Sequence, residues 1–280
     1  MKKFYSLCKK NICINALSFP GDNPDWAQFE TGSCDADITI NCTICDCFPE
    51  TPQGVRTGDF TVSSDGNTVY REFPMCNSCG SLTRYTPADI SRSETFFTPE
   101  SFPIMMDHRY MWSSLSLAQL LLWANAFFIH SSFVSVNGKA VLFSAPCGVG
   151  KSTQAALWEK YRGAEIINGD KAGVLVQDGV YACGVPFCGT SGICKNKTFP
   201  LGAIVLLSQS PVNEVRRLSG AEALQAVLEN VYLDLLAPGE QSKIIELLIS
   251  LLESVPVYSF ACTADEAAVA ALEKALSGII

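Results

Sequence analysis

The sequence predicts an α/β chain whose second half carries a mixed sheet, preceded by a β-rich first half. Three observations carry that expectation. From residue 113 onward apolar residues recur at helical spacing and alternate with short strand runs, Asn-Gly and Asp-Gly turns separate pairs of those runs, and a glycine-rich segment joins a buried strand to a helix. Before residue 113 the runs are short and alternating, among many Thr, Ser, Asp, Gly and Pro residues. The expected domains are therefore 1–112, β-rich and cysteine-containing, and 113–280.

In the first domain, Asp37-Ile38-Thr39-Ile40 and Phe60-Thr61-Val62 read as strands, and Ser64-Asp65-Gly66-Asn67 reads as the turn after the second. In the second, Leu117, Leu120, Leu121, Ala124, Phe127 and Phe128 predict a core-packing helix over 115–128. A hairpin follows, Phe133-Val134-Ser135-Val136 and Ala140-Val141-Leu142-Phe143 around Asn137-Gly138. Residues 152–161 read as a helix, 164–167 as a short strand, 174–183 as a hairpin turning at Asp178-Gly179, and 203–207 as a buried strand. The tail alternates helical patterns at 221–235, 240–254 and 265–276 with a strand at 257–261.

With 280 residues, 48% apolar and 17% charged, the chain can bury one large core or two modest ones. A net charge of −8 and the lack of a basic run argue against a nucleic-acid partner, since binding a phosphate backbone needs a basic face. Lys9-Lys10 interrupts the start before any long apolar run, so no secretory signal is expected and a cytoplasmic protein is. The most apolar stretch, 115–134, contains Gln119, Asn125 and His130, which are costly in lipid, so no membrane span is expected.

Ala145-Pro146-Cys147-Gly148-Val149-Gly150-Lys151-Ser152-Thr153 follows an apolar strand and opens a helix, the context a phosphate-binding loop requires. Gly148 and Gly150 let backbone N–H groups face phosphate oxygens, Lys151 reaches the outer phosphates, and the Ser152 hydroxyl is suited to magnesium. The usual first glycine of that loop is Ala145 here. Cys147 reads either as a replacement for serine or as a thiol activated by the helix start.

From His130 to Val174 the chain resembles the HPr serine kinase/phosphorylase family, whose core is similar to that of phosphoenolpyruvate carboxykinase. His130 opens the strand leading to the loop, Arg162-Gly163-Ala164-Glu165-Ile166-Ile167 leads to Asp170, and a glycine-rich segment over 184–197 precedes the next buried strand. The resemblance covers 130–208, the tail loosely and 1–112 hardly at all. It implies a P-loop-containing core that transfers phosphate from ATP to a hydroxyl, typically a serine, with Mg2+. In that reading Cys147, Gly148, Val149, Gly150, Lys151, Ser152 and Thr153 hold the nucleotide, and Ser152 and Asp170 hold the metal. Asp170 alternatively takes the substrate proton, and His130 meets a neighbouring phosphate or the acceptor. The resemblance also raises a homo-oligomer, hexamers being usual in that family.

The family carries two adjacent carboxylates where this chain has Gly169-Asp170-Lys171. That departure keeps a second reading open, a nucleotide-binding regulatory protein without catalysis. A broader similarity to kinase-like proteins encoded near peptide-modifying systems points to a peptide, a small carrier protein or a small hydroxyl-bearing molecule as acceptor. Asp170 also reads as a plain turn aspartate, and His130 as a hydrogen-bonded core histidine. Lys195 and Lys197 read either as solvated or as closing over the phosphates. Cys42, Cys45, Cys76 and Cys79 form two C-x-x-C units that would suit zinc if strands brought them together, although Cys42 also fits a half-buried strand.

Overall fold

A computed structural model describes residues 1–19, 21, 23–57, 59–76, 79–232 and 237–280, with the backbone alone at 57, 75, 76 and 79. The chain divides into two compact units, Met1–Ala124 with Leu233–Ile244, and Asn125–Tyr232 with Ile245–Ile280. The sequence boundary at 112/113 falls inside a helix, His108–Ser114, that belongs wholly to the first unit.

The first unit contains β1 (Lys2–Leu7), β2 (Lys10–Asn15), α1 (Pro24–Ala27), β3 (Glu30–Thr31), β4 (Ile38–Ile44), β5 (Val55–Thr57), β6 (Phe60–Ser64), β7 (Val69–Cys76), β8 (Cys79–Thr86) and β9 (Asp89–Phe97), then α2 (Phe102–Met105), α3 (His108–Ser114) and α4 (Leu117–Trp123). Its nine strands form one sheet in the order β3-β1-β2-β4-β9-β8-β7-β6-β5, parallel at β2–β4 and β4–β9. Alternation explains the start of β4, where Ile38 and Ile40 are buried and the intervening residues are half-buried or exposed, whereas β2 buries Ile12, Cys13 and Ile14 in a row. Some inward residues are polar and find partners. Ser81 Oγ and Thr83 Oγ1 both donate to Ser114 O, at 3.0 and 2.9 Å, satisfying a carbonyl at the end of α3.

The second unit contains β10 (Ala126–Val136), β11 (Lys139–Ser144), α5 (Lys151–Arg162), β12 (Glu165–Asn168), β13 (Lys171–Val176), β14 (Val180–Cys183), β15 (Thr198–Gln209), β16 (Glu214–Leu218), α6 (Gly220–Leu228), β17 (Val257–Cys262) and α8 (Glu266–Ala275), together with most of α7 (Glu240–Ser254). The strand order is β11-β10-β13-β14-β15-β17-β16, with β12 also on β10 and β11 also on β15. β11–β15 and β15–β17 are parallel and the other pairs antiparallel, so the sheet is mixed, as expected. Phe143, Val205 and Phe260 from the sheet pack with Trp158 of α5 and Leu272 of α8 in one apolar cluster.

Both expected hairpins are present. Asn137 and Gly138 form a two-residue turn with φ of 49° and 76°, the positive values such a turn needs, and Asp178 and Gly179, with φ of 50° and 120°, lie in a three-residue loop between Val176 and Val180. The helix expected over 115–128 is corrected: it ends at Trp123, Asn125 turns left-handed with φ 65°, and Phe127 and Phe128 lie in β10 opposite Val174 and Gly173. A strand buried on both faces is a continuous apolar run, which helical spacing matches equally well. α6 ends at Leu228, short of the expected 235, and residues 233–235 of that expectation lie outside the described residues. β16 was not anticipated, because its charged Glu-Val-Arg-Arg-Leu run pairs only at the sheet edge. Among the described residues no helix is long and apolar enough to cross a membrane. Cys42 lies half-buried in β4, and burial pushes its thiol up to about 12. The side chains of Cys76 and Cys79, and with them the zinc expectation, lie outside the described residues.

Candidate functional site

β11 pairs in parallel with β15 through Ser144↔Leu206, so the loop that follows Ser144 leaves at the carboxyl end of two parallel strands, the usual place for ligands in α/β sheets. Gly148 and Gly150 take φ of 80° and 123°, a region costly for residues with a Cβ. At Gly148 a Cβ would meet no atom within 4 Å, so the loop is open there. Gly150 caps α5 without a side-chain hydrogen bond, which leaves the amides of the first turn without a side-chain cap at the positive end of a twelve-residue helix. Ser152, Thr153 and Cys147 are exposed on this rim and Val149 is half-buried.

Lys151 is only 8% exposed. Its Nζ donates to Ala145 O at 2.8 Å and Pro146 O at 3.3 Å, folding the ammonium against the start of the loop. Burial lowers its pKa, against the opposing pull of Cys147 and Asp170. From the end of β15, Gln209 Nε2 donates to Val149 O at 3.3 Å and steadies the loop from the other side. Beside it lies a cleft of about 470 Å3 bounded by Gly148, Thr153, Gln154, Gln209, Thr263 and Ala264.

Asn168 at the end of β12 and Lys171 at the start of β13 pair with β10 in one register, Phe133↔Asn168 and His130↔Lys171, after a one-residue shift earlier in β12, so Gly169-Asp170 is a break within a strand rather than a reversal of the chain. Asn168 makes the break. It is fully buried, its Nδ2 donates to Val185 O at 2.9 Å, and its Oδ1 accepts from the backbone N–H of Asp170 at 2.9 Å and of Lys171 at 3.0 Å. The Asp170 carbonyl accepts from Ser131 N at 3.0 Å. Asn168→Ala is expected to lower stability by about 1–3 kcal/mol, because buried groups lose their partners. Urea unfolding of the variant measures this, and a change of only a few tenths would contradict it.

Asp170 Oδ1 lies 3.4 Å from His130 Nε2. Burial holds the His130 pKa below its usual value, and the Lys151 charge adds to this against Asp170, so the imidazole is neutral at neutral pH. Ser131 pairs opposite Ser144, and Ser144 Oγ donates to His130 O at 2.7 Å, so the strand carrying His130 adjoins the strand that feeds the loop. His130, Lys151 and Asp170, far apart in sequence, therefore share one neighbourhood.

The 184–197 segment packs on the same break. Gly169 N donates to Ile193 O at 3.2 Å, and Gly189, with φ 54°, lies so close that a Cβ there would stand 2.6 Å from that of Asp170. Lys195 and Lys197 do not reach the loop. Their Nζ atoms donate to Glu165 at 2.8–2.9 Å, and Glu165 pairs opposite Ser135, at the other end of β12 from the Asp170 break. Both lysines hold the Glu165 carboxyl below the usual carboxylate range. Sequence reasoning missed Asn168 and Gln209, and read Gly189 only as part of a flexible glycine-rich segment. An Asn just before Gly-Asp was a readable turn signal, whereas nothing local marks Gln209, which acts only through strand neighbours.

No protein-family model matches the chain, and no curated protein matches it. Among solved structures it aligns with the HPr(Ser) kinase/phosphatase from Coxiella burnetii, over 54% of this chain and 99% of that one, at 12% identity and a TM-score of 0.31. That is weak similarity only.

Proposed function

We propose that the second unit binds ATP with magnesium and transfers a phosphoryl group to a hydroxyl of a peptide, a small carrier protein or a small molecule. What supports this above all is the meeting of Lys151 with the Asp170–His130 pair at an open, uncapped helix start. The amides of the first helical turn, which have no side-chain cap, suit phosphate oxygens, and Lys151 would turn from its loop carbonyls to the phosphates. The neighbouring cleft has the size for a nucleoside. Magnesium, held by the Ser152 hydroxyl and the Asp170 carboxylate, would neutralise charge on the phosphates. Asp170 is also the group to accept the acceptor's hydroxyl proton, with neutral His130 orienting its carboxylate from Nε2. Positioning and charge supply most of the rate in such transfers.

The single carboxylate of Gly169-Asp170-Lys171 favours a second reading, a regulator that binds nucleotide without turning it over. Titration of ATP with and without magnesium into wild type and Lys151→Ala tests the first step. The variant is expected to bind about tenfold to a hundredfold more weakly, the loss of charge-assisted phosphate contacts. Incubation of wild type with labelled ATP and serine-containing peptides tests the second. Binding without any transfer would favour the regulator, and no ATP binding by wild type would overturn both.

A further inference from the structure

Lys171 directly follows Asp170 and pairs opposite His130 on β10. Residues opposite each other on antiparallel strands project to the same face, so Lys171 and His130 rise side by side. The Lys171 ammonium lies 4.0 Å from the ring centre of Tyr232 and 4.7 Å from that of Phe187. Two aromatic faces thus hold it as a fixed, charged group while the residue stays half-buried. Its charge is felt at His130, together with that of Lys151. One neighbourhood therefore gathers two lysines, one carboxylate and an imidazole.

A carboxylate at this position would offer a ligand to a second metal ion. A lysine offers three donors and no acceptor, so it can match phosphate oxygens directly but cannot hold a cation. Charge on the transferred phosphoryl must be met by fixed positive groups, and here Lys151 is drawn to the loop's own carbonyls while Lys171 stands on the Asp170 side.

Resting on the nucleotide reading above, we propose that Lys171 is a second phosphate-binding cation, contacting the terminal phosphoryl group of ATP across the site from Lys151. In the transfer the acceptor oxygen forms a bond to the terminal phosphorus as the bond from that phosphorus to the bridging oxygen breaks. ADP carries away the electron pair, and the hydroxyl proton passes to Asp170. Lys171 stays protonated and bound to the moving phosphoryl oxygens.

ATP and ADP affinities, both with magnesium, compared in wild type, Lys171→Met and Lys171→Arg, with a melting curve of each, test this. Lys171→Met is expected to weaken ATP about tenfold while ADP changes less than about twofold, and Lys171→Arg is expected to keep most of the preference. Lys171→Gln, which keeps a polar stem without the charge, provides the same comparison if the methionine variant fails to fold. Equal loss of ATP and ADP, or a lower melting temperature with unchanged affinities, would overturn the proposal and leave Lys171 as a support for Phe187 and Tyr232. A wild type that binds both nucleotides while the charge-free variants keep its ATP preference removes this proposal alone. A wild type that binds neither removes the nucleotide reading and this proposal with it.

Discussion

Asp170→Asn is expected to slow phosphoryl transfer by about 10²–10⁴-fold, the usual range for a lost general base, while ATP binding without magnesium stays near wild type. Asparagine has nearly the shape of aspartate, and the bonds that hold the break in place run through backbone atoms. The Asp170 N–H donates to Asn168 and its carbonyl accepts from Ser131, so neither depends on the carboxylate. What is lost is the negative charge facing His130 and Lys151. Single-turnover rates with labelled ATP measure the effect. Unchanged turnover would assign Asp170 to the turn alone, and equal loss of metal-free nucleotide binding would point to collapse of the site.

Glu240→Ala is expected to destabilise the first unit by about 3–5 kcal/mol, measured by urea unfolding followed through tryptophan fluorescence. Arg71 and Glu240 are fully buried and 3.8 Å apart, and the guanidinium also lies 5.0 Å from the ring centre of Phe60. Glu240 accepts from the Tyr85 hydroxyl, and its other oxygen accepts from Ala237 N at 2.7 Å. Burial and the Glu240 charge push the Tyr85 phenol far above its ordinary pKa, so it stays protonated and donates. Removing the carboxylate takes the counter-charge from a buried guanidinium and the acceptor from two donors at once. Replacing both partners, Arg71→Met with Glu240→Leu, is expected to recover most of the loss, because the charge leaves with its counter-charge. A single variant within about 1 kcal/mol of wild type would contradict the clamp.

This clamp could not be read from sequence. Arg71 sits on a strand and Glu240 at the start of a helix, and neither residue's surroundings signal the other. The same holds for Lys195 and Lys197, whose glycine-rich segment suggested a closing loop. Glu165 captures both because Lys195 N donates to Ile167 O at 2.9 Å and lays the segment along β12. The helix over 115–128 failed for a different reason: one residue, Asn125, turns the backbone left-handed inside a mostly apolar stretch whose spacing continues past it.

Where the determinant is local, the sequence by itself determined the outcome. The two hairpin turns follow from residues that tolerate positive φ, the α7 helix from its own apolar spacing, and the glycine-bearing loop from its place between an apolar strand and a helix start. Only the tertiary structure decided that His130 faces Asp170, that Lys171 stands beside it against two aromatic rings, and that the strand carrying them adjoins the one feeding the loop. Those meetings depend on which strands become neighbours and in what register. That choice is made by burial across the whole sheet, and a one-residue slip would turn each of these side chains to the opposite face.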